Sequence, residues 1–112
     1  MSQLLLLSGG IVEPGVGHAG RVCAFVAYNP KPGISRMFKV SGSAAAPSVG
    51  ELPARTTVDI SYFKSVMHEE LDPAVDDIQA QGGRAAITEP KSEWVTQVVR
   101  RHLEQHEGIR VP

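Results

Sequence analysis

Hydrophobic positions change period along this chain. In the first half they alternate or run together as extended structure demands. In the second half they return every three to four residues, the spacing of a helix face. Residues 3–13 begin with "LLLL", break at Ser8-Gly9-Gly10 and resume with "IV", which predicts an extended segment with a bulge at Gly9 or Gly10. Residues 21–28, "RVCAFVAY", place Val22, Ala24, Val26 and Tyr28 on one face and Cys23, Phe25 and Ala27 on the other. Apolar residues on both faces predict a central strand covered on both sides. "NPKPG" (29–33) reads as a turn, because its prolines and glycine cannot continue a central strand. Residues 34–40 read as the next strand, half exposed or at an edge, with Ile34, Phe38 and Val40 sharing a face with Arg36.

Residues 41–55 are small and turn-rich and predict a flexible loop. "TTVDISY" (56–62) aligns Val58, Ile60 and Tyr62 as a strand would, although Asp59 also suits the cap of a helix starting there. Phe63, Val66, Met67 and Leu71 have helical spacing. Asp72-Pro73 then reads as the N-cap and first position of a short helix ending at Gly82-Gly83. "RAAIT" (84–88) suits a brief strand. Residues 92–108 give the best-defined helix, capped by Ser92 and closed by Gly108, with Trp94, Val95, Val98, Val99 and Leu103 in one stripe. The expected fold is α+β: an antiparallel sheet of three to four strands from the N-terminal half, packed on one face by two to three helices from the C-terminal half. At 112 residues, positions 1–112 make one domain with one core.

Composition sharpens this picture in three ways. Aromatics are 5% of the chain, so the core rests on small aliphatic side chains, and burying more surface against a second copy is a natural remedy. Formal net charge is −1, which argues against a dedicated nucleic-acid binder. That charge is unevenly spread: residues 1–55 hold five Lys/Arg against two Asp/Glu, and residues 56–112 hold six against ten. Halves of opposite sign are suited to docking on one another, within or between chains. Cys23 is the single cysteine, so the chain has no internal disulfide and no Cys/His zinc pattern. A run of four leucines is too short for a membrane span or signal peptide, and the expected compartment is the cytoplasm.

"GVGHAG" (15–20) has the spacing G-x-G-x-x-G of a dinucleotide-binding turn. Such a turn follows a buried strand and opens a helix whose N-terminus holds the pyrophosphate. Here Glu13-Pro14 precedes it, a strand follows it, and no carboxylate stands near position 40 to hold a ribose hydroxyl. The glycines therefore read as a connection between strands. What remains is an exposed loop offering His18 and Arg21 to an anion or a partner.

His102 and His106 stand one helical turn apart, inside the arc of the apolar stripe that includes Trp94. The pair resembles the zincin spacing H-E-x-x-H only in its histidines, since Leu103 occupies the place of the general-base glutamate. Three roles compete: a half-exposed helix end, the lining of a pocket or subunit interface, or metal ligation completed from elsewhere. His68-Glu69-Glu70 reads as a solvated acidic face unless the fold brings it to the other histidines. Cys23, in mid-strand, reads as a packed thiol.

No complete catalytic set, cofactor motif or metal-ligand set is present. The expected function is that of a small soluble protein acting by association, as a homo-oligomeric binding or adaptor protein. The alternative is a small-ligand-binding or enzymatic domain whose pocket uses His102, His106 and possibly His68, Glu69 or Glu70. A third reading, nucleic-acid association through Arg21, Lys31, Arg36 and Lys39, runs against the net charge.

Overall fold

The computed structural model describes residues 3–53 and 59–112. Four strands, β1 (Gln3–Val12), β2 (Arg21–Lys31), β3 (Ile34–Ser43) and β4 (Ser48–Glu51), form an antiparallel sheet in the order β1-β2-β3-β4. Two helices follow, α1 (Ile60–Ala80) and α2 (Ser92–Glu107). The α+β reading holds, with the strand half first and the helix half second.

The helices cover opposite faces of the sheet, not one face as expected. The reason lies in β2, where every residue from Val22 to Tyr28 is buried. Val22, Ala24 and Val26, with Phe38 and Val40 of β3, pack against Val95, Val99 and Leu103 of α2. Cys23 and Phe25, with Val12 of β1, pack against Phe63, Leu71, Ala74 and Ile78 of α1. The Phe25 and Phe63 rings stack with centroids 4.2 Å apart. Two helices on one face would leave the other face of β2 in water, at about 1.5–3 kcal/mol for each large side chain exposed.

The β1 bulge lies between Leu6 and Ser8, earlier than the expected Gly9 or Gly10, and Leu7 joins the α1-side core. The two glycines serve close approach instead. A Cβ on Gly9 would lie 2.7 Å from the Cβ of Ala24, and one on Gly10 would lie 2.5 Å from Sδ of Met67. β2 continues past Tyr28 through Pro30 to Lys31, so the turn of "NPKPG" narrows to Pro32-Gly33. Pro30 is tolerated because the register is irregular between Tyr28 and Lys31.

The segment expected as a flexible loop over 41–55 instead extends β3 to Ser43 and forms β4. Val49 and Leu52 anchor it, one to the core on each face. Residues 54–58 lie outside the described residues; of the expected strand 56–62 the described part begins at Asp59, and Ile60–Tyr62 form the first turn of α1 instead of a strand. Asp59 is the cap of α1, accepting a hydrogen bond from the Ser61 N–H at 2.9 Å. The helix then runs unbroken through Asp72-Pro73, so Asp72 is not an N-cap and Pro73 is interior. Leu71, Ala74 and Ile78 share one buried face across the proline, and their burial outweighs its cost of about 3 kcal/mol. Residues 84–88 give a single bridge from Thr88 to Ile11 instead of a strand. The N-cap of α2 is Lys91 in place of Ser92, and Gly108 closes the helix at φ 65°. Among the described residues no helix is long and apolar enough to cross a membrane.

Candidate functional site

β3 sends Arg36 and Phe38 toward α2, and there Arg36 forms the densest polar contact among the described residues. Its Nε and one terminal nitrogen donate to the two carboxylate oxygens of Glu51, both at 2.8 Å. Its two terminal nitrogens donate to the oxygens of Glu107 at 2.9 and 2.8 Å. The guanidinium carbon lies 5.2 Å from the centre of the Phe38 ring. Four of the five guanidinium N–H groups are thereby used. These bonds hold Glu51 and Glu107 below the usual carboxylate range and push Arg36 further up. The arrangement clasps the end of β4 and the end of α2 to β3.

Beside the clasp, the His102 and His106 rings stand 4.5 Å apart, and His102 meets Phe38 edge-on at 6.0 Å. His102 is half-buried and His106 exposed. Burial, then the neighbouring His106, pulls the pKa of His102 down. A groove of ≈ 480 Å³ opens between this flank of α2 and residues 47–49, and both histidines line it together with Arg101 and Gln105. Trp94 lies at the other end of α2. It is half-buried and borders a separate groove of ≈ 410 Å³ with Ile11, Pro14 and Ala44.

His68, Glu69 and Glu70 do not share that pocket. They belong to α1, on the opposite face of the sheet, so the cluster that would have joined them to His102 and His106 does not form. His68 pairs with Asp72 at 3.3 Å on the surface. Glu70 turns inward to Lys39 of β3. The same carboxylate adjoins Cys23, whose thiol is pushed up to about 12, by burial first and Glu70 second. That is the reverse of what a nucleophilic thiolate needs. Among the described residues no three His, Cys, Asp or Glu side chains gather into a metal site.

The glycine loop is a tight connection between β1 and β2. Gly15 and His18 exchange backbone hydrogen bonds of 2.9 and 3.0 Å around Val16-Gly17. Gly20 sits at φ 79°, where a Cβ would lie 2.5 Å from the carbonyl oxygen of Val12. His18 folds back onto its own loop, its Nδ1 accepting from the Gly20 N–H at 2.9 Å. Arg21 is exposed beside it. Arg36 and Lys39 are both engaged by carboxylates. Arg21 and Lys31 open and close β2, about 33 Å apart at ~3.3 Å per residue, so these cations form no basic patch.

One feature escaped the sequence reading: the outer edge of β1. Ile11 exchanges two hydrogen bonds with Thr88 on that side, at 2.8 and 3.0 Å. Leu4, Leu6 and Gly9 pair with Tyr28, Val26 and Ala24, on the sheet face that Ile11 and Val22 share. Strand geometry therefore points their N–H and C=O groups outward as well. Among the described residues those groups meet no backbone partner. No charge and no proline interrupts residues 3–9, and Leu5 is 49% exposed. A groove of ≈ 660 Å³ runs beside this edge, lined by Leu6, Leu7, Met67 and Ile87, with Lys64 and Glu89 also bordering it. The other edge, β4, has only four residues, and Glu51 at its end is held by Arg36. The uncharged "LLLL" run carried this signal, but a run of leucines by itself records strand propensity and not which side of the strand is left unpaired. Compared with known proteins, the chain matches no family model, no curated protein and no solved structure.

Proposed function

We propose that this chain is a homo-oligomeric binding protein that works by association, with β1 of one copy pairing antiparallel to β1 of a second. The observation that carries the reading is the uncharged edge of β1, whose outward groups at Leu4, Leu6 and Gly9 meet no backbone partner among the described residues. Soluble proteins ordinarily blunt such an edge with lysine, proline or a cover, and residues 3–9 have no lysine or proline. Pairing about a twofold axis would satisfy the outward backbone groups and continue the sheet from four strands to eight. The partner is a second copy because the adjoining groove offers one lysine and one glutamate beside apolar walls, a combination complementary to itself. The short, clasped β4 edge favours closure as a dimer over end-to-end growth. The charge difference between the halves lends no further support, since Lys39–Glu70 and Arg36–Glu107 already use it within the chain. An adaptor role follows from the twofold, which would present two copies of every other surface. A reducing, cytoplasmic compartment suits a protein whose single cysteine is a buried free thiol.

Sedimentation equilibrium tests this. The 12.0 kDa chain is expected to run as a dimer at micromolar concentration. Leu5→Lys, which places a charge on the half-exposed edge, is expected to give a folded monomer. A wild-type chain that remains monomeric, or a Leu5→Lys variant that still dimerises, contradicts the reading.

A further inference from the structure

The groove at the C-terminal end of α2 carries a second inference, independent of self-association because it borders β4 and not β1. Its lining brings Arg101, His102, Gln105 and His106 of α2 against Ser48 at the start of β4. These are all hydrogen-bond donors, three of them cationic or able to become so. No carboxylate lines the groove. The carboxylates that act on His102, Glu51 and Glu107, are each gripped twice by Arg36. Arg101, in contrast, forms no ion pair among the described residues. The remaining wall is apolar, from Pro47, Val49 and Val98.

We propose that this groove binds an oxyanion, a phosphate or carboxylate group, held by Arg101, His102 and His106. With rings 4.5 Å apart, the two histidines resist being protonated together. An anion between them and Arg101 removes that penalty and gains charge-assisted hydrogen bonds from all three. Binding and protonation are therefore linked. The charged groups around the pair are Arg101 and Glu107 on α2, Arg36 on β3 and Glu51 on β4. Arg36 and its two carboxylates leave one net negative charge, which Arg101 balances, so these groups turn net positive once an imidazole takes up a proton. The anion favours the protonated form of the rings, so its own affinity rises as pH falls. The apolar wall suits a ligand whose acidic group is attached to a hydrocarbon or aromatic body.

The test is an NMR titration of the four histidine rings at constant ionic strength, with inorganic phosphate in one arm and benzoate in the other. Near pH ~6, saturable shifts are expected at His102 and His106, whose titration midpoints move upward by about 0.5 or more in pH. His18 and His68, on other faces of the molecule, serve as internal controls and stay unmoved. Arg101→Ala and His106→Gln, both at exposed positions, are each expected to weaken binding about tenfold while leaving the remaining spectrum dispersed. A response to phosphate alone assigns a phosphate ligand, and a response to benzoate alone assigns an acid with an apolar body. Either supports the site. No saturable shift with either anion, equal shifts at all four histidines, or wild-type affinity in Arg101→Ala overturns it.

Discussion

Arg36 joins β3 to the ends of β4 and α2, and its substitution has a readable consequence. Arg36→Ala removes four hydrogen bonds and the cover on Phe38, and it leaves Glu51 and Glu107 facing one another. The side chain is 26% exposed, so solvent screens part of this, and a loss of about 1–2 kcal/mol is expected by denaturant unfolding. Arg36→Lys should recover less than half of it, because an ammonium cannot fork to two carboxylates. Unchanged stability in Arg36→Ala would show the clasp to be ornamental. His102 gives a second prediction, with its sign set by the lowered pKa. A base whose folded pKa lies below its unfolded value takes up a proton more readily on unfolding. Its contribution to stability is full above about pH 6.5 and is lost as pH falls through the folded pKa. Glu51 and Glu107, also lowered, act in the same direction in a more acidic window, below about pH 4.5. The melting temperature should therefore fall in two stages on acidification, and His102→Gln should remove the first. A wild-type Tm that is flat from about pH 7 to 5.5, or a His102→Gln variant that keeps the step, contradicts this.

Among the elements, α1 gives the most direct prediction. Pro73 breaks the hydrogen-bond ladder of a helix that persists around it. Pro73→Ala restores an N–H to the carbonyl of Glu69 and is expected to stabilise by about 1–2 kcal/mol, after allowing for a freer unfolded chain. Calorimetry checks it, and a lower Tm would mean that the proline ring makes a contact the helix needs. β1 gives the opposite case. Gly10→Ala drives a Cβ to within 2.5 Å of Sδ of Met67 and 2.7 Å of Cγ2 of Ile87, so these side chains must repack and about 1–3 kcal/mol is expected to be lost. The strands β1 to β3 and helix α2 were legible in the sequence because each carries its own period. Val95, Val99 and Leu103 repeat every four residues, and Gly108 marks the end. The junction of α1 was misread because Asp72-Pro73 is a strong local start signal, and only tertiary burial of Leu71, Ala74 and Ile78 overrules it. β4 was missed because "SVGE" has too little apolar content to announce a strand. It forms by pairing with β3, which is a non-local fact.

For the molecule as a whole, the informative quantity was which face each element covers. The two-sided apolar pattern of β2 implies three layers, which is at odds with both helices on one face and in accord with one helix on each. Of the candidate site, the His102–His106 pair was legible because helical spacing fixes it. Its separation from His68 was not, since only the packing order places α1 and α2 on opposite faces. The partners of Arg36 were equally hidden, 15 and 71 residues away along the chain. The outer edge of β1 is a property of strand order, and no local pattern reveals which strand is outermost. Hydrogen exchange at the outward amides of β1 tests the central claim most directly. If two copies pair along this edge, the N–H groups of Leu4, Leu6 and Gly9 are protected at concentrations where the chain is dimeric and lose that protection on dilution or in Leu5→Lys. Exchange at those three amides as fast as at the exposed loop tip of Val16, in a sample that is dimeric, would contradict the account and move the contact to another surface.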